Sequence, residues 1–179
     1  MWTDDVKAFS EQFSRSEDQD WQETLQLKKD IKEHLSRDAC AGLSLELFTR
    51  IASWKLGRQE GRTRRFRSKL TDDFVDTITS CAFALEHPDR ETLTRGRLNV
   101  LQGLSGVGIG IASAILALTL PDQYGVIDNR VWKVVYDEDR ETFSLSDYHR
   151  YLADLLAGAE QLNWPPQELD FLAWKMSER

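Results

Sequence analysis

The sequence predicts an all-α fold of about eight or nine helices. Apolar residues recur at helical spacing along almost the whole chain, and no stretch alternates apolar and polar residues as a half-buried strand would. Only 4 Pro and 10 Gly interrupt 179 residues, which leaves little room for linkers. A chain of this length, 41% apolar and 30% charged, suits one domain over residues 1–179, or two closely packed helical lobes.

The elements follow in order. Thr3 is placed to cap a first short helix reaching about Phe13. A longer helix is expected from Asp18 to Leu35, with Trp21, Leu25, Leu27 and Ile31 as an imperfect apolar stripe. Ser44 to Trp54 sets Leu47, Ile51 and Trp54 on one face, and the segment from Lys55 to Lys69 reads as the one long loop. Thr71, followed by Asp72 and Asp73, opens a helix whose Phe74, Ile78, Cys81 and Leu85 are expected to face the core. Pro88 begins the next, which carries Leu93 and Leu98 towards Leu101. Late helices are expected over Asn129–Tyr136, Ser146–Ala157 and Pro166–Met176.

Several function classes drop out on composition. No apolar run reaches the length of a membrane span, and the acidic start, Met1-Trp2-Thr3-Asp4-Asp5, is unlike a secretory signal. Cys40 and Cys81 are too few for a disulfide framework and are expected as reduced core residues, so a cytoplasmic location is expected. His34, His87 and His149 are scattered without ligand spacing, and neither a metal nor a cofactor is expected.

Charge is unevenly spread. Arg50 to Lys69 holds eight basic residues and one acid, a segment of +7; the remainder, with fifteen basic and twenty-nine acidic residues, is −14. That asymmetry orients a chain on a phosphate backbone, even though the total is −7. Lys55, Arg58, Arg62, Arg64 and Arg65 are the candidate phosphate contacts.

Residues 101–121 read LQGLSGVGIGIASAILALTLP. Leu101 and Leu104 close one helix, Gly106 and Gly108 permit a tight turn, and Ala112, Ile115, Leu116 and Leu118 drive the next. The result is a helix-hairpin-helix at about 91–119. The amides that open its second helix point outward at the positive end of the dipole, which suits a phosphate. Gly106, Val107, Gly108, Gly110 and Ile111 form that candidate grip. A dinucleotide-type phosphate loop would need a preceding strand and a third glycine after two intervening residues, whereas here a helix precedes.

Downstream, Val126 and Ile127 are a short apolar lead-in, and Asp128 stands at a helix N-cap before Val131, Val134 and Val135. Leu104-Ser105-Gly106-Val107-Gly108 followed by Val126-Ile127-Asp128 resembles the helix-hairpin-helix DNA glycosylase superfamily, most strongly over Leu98–Tyr136. Trp54-Lys55-x-x-Arg58, with Asp170 and Trp174 near the end, is similar to short bacterial members of that group. The resemblance implies that the hairpin grips damaged or modified duplex DNA and that Asp128 is the catalytic carboxylate. Bifunctional members carry a lysine two residues after the second hairpin glycine, and here that residue is Gly110. It therefore implies a monofunctional enzyme using water, with no strand cleavage; a monomer is expected. Four cysteines for an iron–sulfur cluster are lacking. Trp54 and Trp132 are candidates for stacking on an extruded base. Two other readings stay open: a non-catalytic nucleic-acid-binding module in which Asp128 only caps its helix, and a protein-interaction adaptor.

Overall fold

The computed structural model describes residues 1–38, 40–59 and 61–178, with the side chains of Arg58, Arg62 and Thr63 outside that description. Among the described residues there are ten α-helices and one short 3₁₀ turn, and no strand. The order is α1 (Trp2–Ser10), α2 (Gln19–Leu35), α3 (Leu45–Leu56), the 3₁₀ turn Gly57–Gln59, α4 (Gly61–Arg67), α5 (Asp72–Ala84), α6 (Arg90–Leu101), α7 (Ile109–Thr119), α8 (Asn129–Tyr136), α9 (Leu145–Leu162) and α10 (Pro166–Met176).

Local chemistry fixes most of the starts. Asp18, Ser44, Thr71, Asp89, Asp128 and Ser144 each accept a backbone N–H from the first turn of the helix that follows. Thr3 does not act this way: α1 already includes it, and its side chain is buried. The segment expected to be a loop after Lys55 is largely helical, which supplies the tenth helix.

Helix α7 is the axis of the fold. Every residue from Ile111 to Leu118 is buried, so the helix is apolar all round and packs against α2, α3 and α6. Ala112 and Ala114 are fully buried there, where small side chains allow neighbouring helices to approach. Helices α1, α8 and α9 pack on α10, and α9 also meets α6. Trp21 of α2 sits edge-on to Phe171 of α10 at 5.0 Å, and one buried cluster, with Leu27 and Ile31 of α2 and Leu169 and Leu172 of α10, runs through both groups. No helix among the described residues is long and apolar enough to cross a membrane.

Three expectations need correction. In α5 the buried face is Val75, Thr79 and Ala82, while Phe74 is 45% exposed. The helix is rotated from its expected setting because Gly42 packs directly on its backbone and the Thr79 hydroxyl accepts the Leu43 N–H. Leu25 is likewise exposed, with Thr24 turned inward to bond the Asp20 carbonyl. Cys40 and Cys81 are both exposed, not core residues.

Candidate functional site

The hairpin forms as its residues require. After α6, successive tight turns run from Leu101 to Val107, and Gly106 takes φ 80°, the left-handed region that only glycine enters freely. Val107 is buried and anchors the turn. Gly108 caps α7 without a side chain, so the amides of Ile109, Gly110 and Ile111 precede the first helical bond, from Ala112 N–H to the Gly108 carbonyl. Nothing lies within 4 Å of where a Cβ would stand on Gly108. The Ile111 side chain is buried, so the hairpin offers backbone rather than side chains.

Asp128 is reached by an extended strap over residues 124–128, tied down from three helices. Ser113 of α7 accepts the Ile127 N–H, Asp170 of α10 accepts the Val126 N–H, and the Tyr148 hydroxyl of α9 donates to the Gly125 carbonyl. At the end of this strap the Asp128 carboxylate does two things. One oxygen accepts the Arg130 N–H at 2.9 Å, which caps α8, and the other meets the Lys55 ammonium at 2.5 Å. The cap is therefore real; it occupies one oxygen while Lys55 holds the other.

Lys55 and Asp128 stand between two cavities. On one side is an open groove with about 1440 Å³ of empty space, lined by Gly108, Ile109 and Gly110 of the hairpin and by Asn99, Gln102 and Asn129. On the other is a smaller pocket, walled by Trp54, Phe171 and Trp174 with Val126, Val131 and Asp170. The Trp54 indole N–H is held by Thr24 at 3.0 Å. Asp170 is fully enclosed; burial pushes its carboxyl from 3.8 up to about 7, against the Tyr151 and Val126 donors and Lys55, and with Asp128 adding to the rise.

The predicted site residues thus fall into separate groups. Asp128, Lys55, Trp54 and the hairpin backbone are brought together. Trp132 is not: it is fully buried, packed against Tyr136 and Phe143 and flanked by the Arg140 and Arg150 guanidinium groups, so it has no face for a base. Lys55 was expected to meet phosphate and instead holds a carboxylate. Arg64 and Arg65 are exposed on α4 and line neither cavity. The expectations for Arg58 and Arg62 rest on side chains outside that description. Arg50 pairs with Asp30 at 2.5 Å, so part of the basic segment is neutralised within the chain.

Asp170 was noticed in sequence only as part of a resemblance. The signal was a lone acid inside the apolar run Leu169-Asp170-Phe171-Leu172-Ala173, where a carboxylate needs donors or a functional reason to be buried. Ser113, equally buried in α7, carries no such signal.

No family model matches the chain, and neither a curated protein nor a solved structure matches it.

Proposed function

We propose that this protein is a DNA base-excision glycosylase that hydrolyses the bond between a modified base and its sugar. The observation that carries this reading is the position of Asp128, on the divide between a groove lined by hairpin amides and a pocket walled by tryptophans. Outward amides at the start of α7 suit a phosphate. An aromatic-walled pocket suits a base turned out of the stack. A carboxylate between them stands where the sugar of that nucleotide would lie.

Breaking the base–sugar bond builds positive charge on the sugar. A carboxylate beside it lowers the barrier electrostatically, all the more in a site that excludes water. The Arg130 N–H holds one Asp128 oxygen in place, and the Lys55 ammonium neutralises part of its charge in the free protein. A phosphate entering the groove offers Lys55 a second anion, which frees the Asp128 charge for the sugar. Water then attacks the sugar carbon as the base departs.

The test is base release from a panel of duplexes bearing damaged or modified bases, with wild type and Asp128→Asn. Release by wild type and its loss in the variant, with duplex binding retained, is the expected result. Binding without release from any duplex supports the binding module instead, with Asp128 serving as a cap. Affinity is expected to fall as salt rises, because phosphate contacts release counterions. A salt-independent affinity, or no binding to duplex, single strand or junction, overturns the reading.

A further inference from the structure

The first turns of α6 and α9 enclose a cleft separate from both cavities of the candidate site. Arg90, Glu91 and Thr94 line one side, and His149, Leu152, Ala153 and Leu156 line the other. Thr94 stands roughly 12 Å along the axis of α6 from Gln102, at about 1.5 Å per residue, so the cleft and the groove lie toward opposite ends of that helix.

Two polar groups of this cleft are left without partners. Thr94 is 1% exposed and the His149 side chain 14%, yet neither the Thr94 hydroxyl oxygen nor His149 Nε2 has a hydrogen-bond partner among the described residues. Thr94 is unlike Thr24, Thr49, Thr79 and Thr119, each of which donates its hydroxyl to the carbonyl four residues back in its own helix. The His149 ring is oriented by Glu91, whose carboxylate lies 3.3 Å from Nδ1. With the proton on Nδ1, Nε2 presents a lone pair. Groups buried and unbonded in this way cost free energy that a bound molecule meeting both of them would recover.

The charges at the rim are engaged for the acids and open for one cation. Glu91 is held by Arg95 at 3.0 Å as well as by His149, and Asp89 accepts the Thr92 N–H as the cap of α6. Arg90 gives one N–H to the Gln123 carbonyl at 2.7 Å, and no carboxylate pairs with it among the described residues. A guanidinium has five N–H donors, so Arg90 keeps donors for an anion. Leu152, Ala153 and Leu156 add an apolar wall. The cleft thus calls for an acceptor at Arg90 and Thr94, a donor at His149 Nε2, and an apolar group along α9.

We propose that this cleft binds a small carboxylic acid with a hydrogen-bond donor on the carbon beside the carboxylate and an apolar side chain, the shared chemistry of apolar α-hydroxy and α-amino acids. The Arg90 guanidinium and the Thr94 hydroxyl hold the carboxylate. The neighbouring hydroxyl or ammonium donates to His149 Nε2, and the side chain lies against Leu152 and Leu156. This site stands apart from the glycosylase reading, and neither depends on the other.

The experiment is calorimetric titration of the full chain at neutral pH with phenyllactate, phenylalanine and hydrocinnamate, the last of which lacks the donor. One of the first two is expected to bind with a Kd below about 1 mM, and which one binds tells hydroxyl from ammonium. Hydrocinnamate is expected to bind about 10-fold more weakly. Thr94→Val keeps the shape and removes the hydroxyl. Because that hydroxyl has no partner in the free protein, the thermal midpoint is expected to hold or rise while affinity falls about 10-fold. Arg90→Gln, at an exposed position, is expected to abolish binding with the midpoint unchanged. A lowered midpoint in Thr94→Val, equal binding of hydrocinnamate, binding retained in both variants, or no saturable binding of either donor-bearing acid overturns the proposal.

Discussion

Replacing Asp170 by Asn separates charge from shape at the floor of the aromatic pocket. Asp170 is 3% exposed, Tyr151 donates its hydroxyl to one carboxylate oxygen, and the Val126 N–H donates to the other at 3.1 Å. Burial raises its carboxyl from 3.8 to about 7. Between those values the folded protein holds a proton that the unfolded chain has released. The stability linked to this group is therefore complete below 3.8, declines as pH rises, and is gone above about 7. At about 1.4 kcal/mol per pH unit, the whole span amounts to about 4 kcal/mol. An amide at position 170 resembles the protonated acid: its oxygen can accept from Val126 and its N–H can donate to the Tyr151 oxygen. Urea unfolding of both proteins at several pH values reads the difference. Wild type is expected to lose about 3 kcal/mol relative to Asp170→Asn between about pH 4.5 and 8. Asp30, held low by its bond from Arg50, and Asp89, held low by its bonds from Thr92, gain stability with rising pH in both proteins and so cancel. Parallel stability curves for the two proteins would refute the assignment of a buried, proton-holding carboxyl.

Gly42→Ala is expected to destabilise by about 3 kcal/mol or more in denaturant unfolding, since its Cβ would lie 2.1 Å from the Asp76 carbonyl and 2.7 Å from the Ser80 nitrogen, both backbone atoms of α5. Gly108→Ala has open space and an ordinary φ of −95°. It is expected to cost under about 1 kcal/mol of stability, while a methyl on the approach face weakens duplex binding about tenfold in fluorescence titration. Trp132→Ala is expected to cost about 4 kcal/mol in chemical unfolding, because it empties a fully buried site. A loss below about 1 kcal/mol there would argue that Trp132 faces a cavity after all.

The helices were legible because their signals are local. A capping residue followed by apolar residues at helical spacing located the starts after Thr71 and Asp128, and the glycines at 106 and 108 located the hairpin. Thr3 failed as a cap because a capping hydroxyl is only a preference, and burial against the rest of the chain won. Helix α4 was invisible for the opposite reason: its arginines show no apolar stripe, although Arg67 is buried. Phe74 and Cys81 were assigned inward on spacing that fits two adjacent faces of α5, and only the close approach of Gly42 selects between them.

For the site, sequence alone determined what lies close along the chain: the hairpin, its bare amides, and a carboxylate at the head of α8. It also determined that Gly110 supplies no amine. What it could not determine is which distant side chains share that space. Trp132 and Trp54 look alike in sequence, yet one is sealed among arginines and aromatics and the other walls the pocket. Gly110 withholds an amine from its own position, and by leaving no side chain there it makes room for Lys55 to arrive from α3. Periodicity and capping act within a few residues of chain, whereas the meeting of Lys55, Asp128 and Asp170 is set by how α3, the strap and α10 pack around one buried helix.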